Sequence, residues 1–385
     1  MHQVRPPRAR GHRADVAAQA PRLALTGAAP DAARIVALTS RLVALPSHES
    51  EQEVQLLLAS LLEETGFEVR LQEIEPGRPN LIASRGSGGP WFCSHADVHP
   101  PHGHPDPWKC RQEDGLLVGR GVVDTKGQLA SLLDALASEP DTAATVVVCC
   151  DEESGGLGSQ RLDLPESLRP AEGGIVLEPT GLGVSVAQSG CIDLEIRIDR
   201  EPRHMAVGGV SAADELLRIL ELLRAECSFL RHTNPLVPPP RVHLGVLQAG
   251  EHLWRTPATA AAQVSLTLLP QVDAAEARGE LEAVLSTELG ESGKGSYRVI
   301  DVCEPIQVPQ DLPVVSRLRE AMGRGFRLTG MPSWTDATHL LLRHGIPCVV
   351  FGAGDLDSAH SDREWVRVRD LVDLSSILRR VLRSY

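Results

Sequence analysis

No Cys-x-x-Cys pair, no Gly-x-Ser-x-Gly elbow, no internal repeat and no bilayer-length apolar run occurs in the 385 residues. Each absence removes a class of protein. The eight cysteines are scattered; Cys149 and Cys150 end an apolar run over 145–150 and read as reduced core residues, not as part of a disulfide framework. A serine hydrolase of the elbow type loses its signature. Without about 20 consecutive apolar residues there is no membrane-spanning helix. Positive charge is scarce too. The formal net charge is -13, which argues against nucleic acid and anionic membranes as partners, because both reward a basic face. A cytoplasmic protein acting on a small molecule is the expectation.

What is present is ordinary in amount. Apolar residues make up 42% and charged residues 23% of the chain, so folding need not rest on disulfides. The length exceeds one compact core and predicts two domains. The first 28 residues carry five arginines and one aspartate. They read as a disordered tail over 1–28, or as the product of a start placed too early.

Periodicity sets the order of elements. Helices are expected over 31–45, with Asp31 as N-cap, and over 51–65, stopped by Gly66. Strands follow over 67–74, 80–84 and 91–94, then a helix over 127–138 and strands over 145–150 and 174–177. From residue 190 the pattern changes to a strand over 191–199, a helix over 211–225, strands over 242–247 and 262–269, and a helix over 274–289. That order predicts a small α+β domain over 190–296, inserted between the two parts, 29–189 and 297–385, of an α/β domain. Helices over 312–324, 335–343 and 366–382 and a strand over 347–351 return to the first style. The expected fold is α/β, with a central, mostly parallel sheet, helices on both of its faces, and the inserted α+β domain.

Four apolar strands end in metal-type ligands. The run 91–94 leads into His95-Ala96-Asp97, and 145–150 into Asp151-Glu152-Glu153. The run 175–177 leads into Glu178, and 348–351 through a glycine-rich loop to His360. Open α/β sheets place their sites at the carboxyl ends of strands. A metal-bound imidazole donates its other N–H to a carboxylate, and Asp97 stands two residues from His95 for that part. Asp124 lies between glycines at a helix start, where an unusual backbone can aim it inward, between two ions. Its glycine spacing before Lys126 does not match a phosphate loop. Adjacent Glu152 and Glu153 repel unless a cation sits nearby. One can ligate while the other stays free as a general base.

Charge counting favours two ions. Asp124, Glu153 and Glu178 supply three negative charges beside neutral His95 and His360. Two divalent cations leave a residual positive charge, which favours binding water as hydroxide. Nitrogen and carboxylate ligands without thiolate suit Zn, Co or Mn. His99, His102 and His104, in a proline-rich loop, are expected to be solvated.

Five segments, His95-Ala96-Asp97-Val98, Gly119-Arg120-Gly121 through Lys126-Gly127, Glu152-Glu153-Ser154-Gly155, Glu178-Pro179-Thr180 and Ala359-His360-Ser361, resemble a known family. It is the di-zinc deacylase and carboxypeptidase family of acetylornithine deacetylase, succinyl-diaminopimelate desuccinylase, aminoacylase and glutamate carboxypeptidase. The resemblance implies that His95 and Glu178 hold one metal, Glu153 and His360 the other, and that Asp124 bridges them with a cis peptide after it. It implies Asp97 as the orienter of His95 and Glu152 as the general base. The inserted segment then corresponds to a lid and dimerisation domain, and a homodimer is expected. His204 falls where relatives carry a lid histidine that stabilises the oxyanion.

The lid departs from the family pattern. Arg203-His204-Met205-Ala206-Val207-Gly208 lacks the usual glycine before the histidine and the later proline. Trp254-Arg255-Thr256-Pro257 stands where many relatives have an asparagine, so Arg255 is a candidate carboxylate clamp. Asp336, in Ser333-Trp334-Thr335-Asp336, is a candidate contact for a substrate amine. The expected substrate is an N-acyl amino acid or a short peptide. The alternatives are a dipeptidase or carboxypeptidase, a hydrolase that releases an amino acid from a carrier conjugate, and a non-catalytic binding relative. The last predicts loss of a ligand or of the base, and none is lost.

Overall fold

The computed structural model describes residues 30–290 and 295–385, so the tail expected over 1–28 lies outside the described residues. The first helix, α1 (Ala32–Val43), starts at Asp31, whose side chain accepts hydrogen bonds from the Ala33 and Arg34 N–H groups. Ile35, Leu38 and Leu42 fall at helical spacing and are fully buried. Helix α2 (Gln52–Glu63) follows, and Gly66 turns the chain at a φ of 84°.

Strands β1 (Glu68–Glu75), β2 (Arg78–Arg85) and β3 (Trp91–His95) come next, then the short pair β4 (Arg111–Glu113) and β5 (Leu116–Val118). Helix α3 (Lys126–Ser138), β6 (Ala144–Cys149), α4 (Leu157–Gln160), β7 (Gly174–Val176) and β8 (Val184–Gln188) complete the first part of the main sheet. Later in the chain come β13 (Ile306–Gln307), α7 (Pro313–Met322), β14 (Leu328–Met331) and α8 (Ala337–His344). The chain ends with β15 (Cys348–Val350), β16 (Trp365–Arg367) and α9 (Val368–Leu382).

Among the described residues the main sheet has nine strands, in the order β1-β2-β6-β3-β7-β15-β8-β13, with β14 on β8. Its centre, β6-β3-β7-β15, is parallel. Its flanks, β1-β2-β6 and β15-β8-β13, are antiparallel. The sheet is therefore mixed; the strands that carry the ligand-type residues form its parallel centre, and β14 adds one more parallel pairing on β8 at the flank. Successive residues face opposite sides. Phe92, Val146 and Val148 join the core under α1, α3 and α9, while Trp91, Cys93, Val147 and Cys149 join Ala337 and Leu340 of α8 on the other face. Burial of both faces explains why these strands read as unbroken apolar runs.

The middle of the chain forms a second sheet from β9 (Gly190–Asp199), β10 (Val242–Ala249), β11 (Thr259–Leu268) and β12 (Gly295–Cys303). Its order is β10-β11-β9-β12, all antiparallel. Residues alternate in burial along β9 and β11, and the buried set packs on α5 (Ala212–Glu226) and α6 (Ala274–Gly290). Strand β12 carries this sheet past residue 296. Tyr297 and Val299 turn inward between exposed Ser296 and Arg298, and a register shift between Val299 and Asp301 then breaks the alternation. Among the described residues no helix is long and apolar enough to cross a membrane.

Candidate active site

The parallel centre of the main sheet delivers its strand ends to one edge. His95 is the last residue of β3 and pairs in register with Cys149 of β6. Asp151, Glu152 and Glu153 follow β6 directly, and Glu178 lies two residues beyond β7. Asp124 precedes α3, and the Asp124–Thr125 peptide is cis. His360 comes from the loop after β15, at a φ of 58°.

These residues meet. His95 Nε2 lies 3.0 Å from Asp124 Oδ1 and 3.5 Å from Glu178 Oε1. His360 Nε2 lies 2.8 Å from Glu153 Oε2 and 3.4 Å from Asp124 Oδ2. Asp124 thus turns one oxygen to each imidazole. His95 Nδ1 is 3.0 Å from the Asp97 carbonyl oxygen and 3.4 Å from its Oδ1. A carbonyl can only accept, so Nδ1 donates and Nε2 faces the carboxylates. The second Asp97 oxygen accepts from the Glu153 N–H at 2.9 Å.

The electrostatics are those of crowded buried acids. Burial first, with Glu178 adding to it, holds the Glu152 carboxyl well above the usual carboxylate range. Burial and then Asp124 do the same to Glu178, against the pull of His95. Burial opposes charge on the imidazoles too, but Glu178 and Glu152 raise His95 well above its ordinary value. Hydrogen bonds to Asp124 and Glu153 carry His360 up to about 10. Asp124 moves down despite its burial, because both imidazoles bond to it.

The donor atoms form two sets, His95-Asp124-Glu178 and Asp124-Glu153-His360, each within 4.8 Å of one another. The buried Oε1 of Glu178 has no hydrogen-bond partner among the described residues. An orphaned buried carboxylate oxygen is costly unless a cation meets it. Nitrogen and oxygen donors without thiolate suit a divalent ion, so the residues present fit a metal centre.

The turn bearing Glu152 and Glu153 is anchored by residues outside the recognised motifs. The Asp151 carbonyl accepts from Gly155 and Gly156. Its N–H donates to Glu51 Oε1 at 3.0 Å, and Arg78 joins the Glu51 and Asp151 carboxylates in one ion-pair group. Glu51 was hidden as one acid among many at a helix start, and Arg78 as a turn residue before a strand. Only their full burial or pairing marks them, and neither shows in sequence.

The remaining candidates lie elsewhere. His204 and Arg255 form an isolated bridge in the second sheet's loops, and both are solvent-facing or nearly so. Arg255 lines a cavity of about 450 Å³ with Arg197 and His252, apart from the carboxylate cluster. Asp336 is 1% exposed, and its charge lies close enough to the acid cluster to push Glu152 and Glu178 further up. It groups with Cys93 and Cys149 on the far side of β3 and β6. His99 departs from the expectation of a solvated residue. Its ring stacks on His360 at 4.2 Å, and its backbone N–H donates to Glu153 Oε1 at 2.9 Å. His104 is buried as well.

A cavity of about 290 Å³ opens beside Glu152 and Glu153, between the main sheet and β12. Its wall includes Asp193, Asp301, Glu304, Trp334 and His339, with the cationic Arg343 on the same wall.

Comparisons with known proteins agree with this architecture. Residues 91–384 match the model of peptidase family M20/M25/M40. The chain is 26% identical over 359 residues to an acetylornithine deacetylase of Photorhabdus laumondii, covering 86% of this chain and 92% of that one. It resembles the solved structure of a tripeptidase from Staphylococcus aureus with a TM-score of 0.75 at 18% identity, over 93% of this chain and 99% of that one. It resembles human carnosine dipeptidase 1 with a TM-score of 0.73 at 13% identity, over 91% and 96% of the two chains. The chain therefore belongs to peptidase family M20/M25/M40 and is a metal-dependent hydrolase of amide bonds.

Proposed function

We propose that this enzyme is a deacylase of the acetylornithine deacetylase kind, cutting the amide of an N-acyl amino acid with a cationic side chain. The observation that carries this reading is the cavity wall beside Glu152. Asp193 of β9 and Asp301 of β12 are directly opposed in register. Like charges so placed repel, and Asp193 Oδ1 is buried without a partner. A substrate ammonium or guanidinium between them relieves both costs, and the Trp334 ring in the same wall offers a cation–π contact. The amine contact expected of Asp336 is better assigned to this pair, because Asp336 is buried with Cys93 and Cys149.

In this reading His95 and Glu178 would hold one divalent ion and Glu153 and His360 a second, with Asp124 shared between the two donor sets and zinc the expected metal. Bound metal would polarise the scissile carbonyl and lower the pKa of an attacking water. Asp97 fixes the His95 tautomer. Glu152 takes the proton from the water and gives it to the leaving amine.

His204 and Arg255 act together in this reading, as oxyanion stabiliser and carboxylate clamp, from a second copy of the chain in a cytoplasmic homodimer. Met205, Val207, Leu253 and Trp254 around them are 45%, 71%, 78% and 58% exposed, an apolar rim that a partner would cover.

A peptidase of small peptides is the second reading, favoured by the likeness to a tripeptidase and a dipeptidase. The test is turnover of N-acetyl, N-succinyl and N-formyl amino acids and of dipeptides, followed by mass spectrometry with added zinc or cobalt. Release of acyl groups from basic amino acids supports the deacylase. Cleavage of dipeptides alone overturns it in favour of the peptidase.

A further inference from the structure

We propose that Glu364 is a positioning residue that holds Asp124 in place and locks it to the segment carrying His360. The inference rests on the reading of Asp124 and His360 as metal ligands.

Glu364 is 0% exposed and lies four residues after His360. Its Oε2 accepts from Arg120 Nη1 at 2.9 Å and from the Gly121 N–H at 2.8 Å. Its Oε1 accepts from the Val123 N–H at 2.9 Å and the Asp124 N–H at 3.2 Å. A carboxylate offers about four lone-pair sites, so all of them are spent on residues 120–124. Its backbone carbonyl also accepts from the Gly119 N–H at 3.1 Å. Arg120 closes the stitch from the other side, donating through Nη2 to the Ser361 carbonyl at 3.2 Å.

The local sequence is built for this clasp. Gly121 has a φ of 87°, and a Cβ there would meet Val98 Cγ1 at 2.8 Å. Only glycine lets the backbone turn tightly enough for three N–H groups to converge on one carboxylate. Hydrogen bonds from backbone N–H to an ionised acceptor are short and about twice as strong as neutral ones. Asp124 must turn one oxygen toward His95 and the other toward His360, and its main chain is pinned by an acid that moves with His360. Glu364 touches neither substrate nor the donor atoms; it acts through Asp124.

A buried acid with four bonds is also a plain structural pin, so the test must separate fold from site. Glu364→Gln keeps the shape, but its amide NH2 cannot accept and confronts N–H donors on one side. Arg120→Met removes the charged partner and leaves the three backbone bonds. Zinc affinity of the full-length protein is measured by competition with a chromophoric chelator, and thermal unfolding is followed on the chelated protein. Glu364→Gln is expected to weaken zinc binding about 10–100-fold, while Arg120→Met costs as much stability with a smaller loss of zinc. If Glu364→Gln does not fold, Glu364→Asp is read the same way, with an intermediate loss expected. Wild-type zinc affinity in the Glu364 variants, or an equal loss in Arg120→Met, overturns the proposal. His360→Ala is the control. If that variant keeps wild-type zinc binding, the ligand reading fails; if it loses zinc while the Glu364 variants do not, only the clasp fails.

Discussion

Glu152 Oε2 stands 4.0 Å from His95 Nε2, farther from that nitrogen than Asp124 Oδ1 at 3.0 Å or Glu178 Oε1 at 3.5 Å. It belongs to the cluster's electrostatics but is the least tied of these acids to its donor atoms, and it lines the adjacent cavity. Glu152→Ala should therefore keep its metal and lose turnover about 10²–10⁴-fold. Metal analysis and single-turnover rates on the same preparation check this. A near-wild-type rate ends the general-base assignment.

Removing metal should cost stability as well as activity. Glu178 Oε1 has no hydrogen-bond partner among the described residues, and the acids around it push one another's pKa up. A ligand that binds only the folded state adds about 2.7 kcal/mol at a hundred times its dissociation constant. Chelation should lower the thermal midpoint, and added zinc should restore it. The same addition should rescue His95→Ala less, since that variant loses the Nε2 nearest Asp124. A midpoint indifferent to chelator would rule out the metal centre as read.

Much of the site could be read because its residues sit at ends of apolar runs. His95, Glu152, Glu153 and Glu178 follow strands whose two-sided burial leaves an unbroken apolar signature. What could not be read were partners brought in from afar. Glu51 reaches Asp151 across a hundred residues, and Glu364 reaches Asp124 across 240. A charged residue in sequence looks the same whether it is solvated or fully buried. Strand β12 is hidden for another reason: its alternation of Tyr297 and Val299 with exposed Ser296 and Arg298 is broken by a register shift between Val299 and Asp301. The antiparallel flanks of the main sheet were missed because pairing direction is a property of topology, not of any one strand's composition.

The lid histidine gives a prediction about assembly. His204 lies beside Arg255 on the second sheet and forms no ion pair with the carboxylate cluster among the described residues. If a partner copy supplies it, His204→Ala and Glu152→Ala should each be inactive, yet a mixture of the two should regain up to about a quarter of wild-type activity as subunits exchange, since half the dimers are mixed and each has one complete site. The measurement is turnover after co-incubation, with sedimentation as the check on dimers. No recovery in a proven mixed dimer would mean that His204 serves its own chain or none.

Asp336 makes a prediction about pH. Burial pushes its carboxyl up to about 7, whereas an unfolded aspartate titrates near about 3.9. Between those values the native state holds a proton that the unfolded state has released, so stability falls as pH rises. Below the lower value both states are protonated and there is no penalty; above the higher one the full cost of a buried charge is paid. Asparagine keeps the shape and never ionises. Asp336→Asn should therefore be more stable than wild type at pH 8, by up to about 4 kcal/mol, and by no more than about 0.5 kcal/mol at pH 4. Urea denaturation of the chelated proteins at the two pH values gives the difference directly, since every other titrating group is common to both. A gain that is equal at both pH values would mean that the carboxylate is not the source, and that the change acts through packing against Cys93 and Cys149 instead.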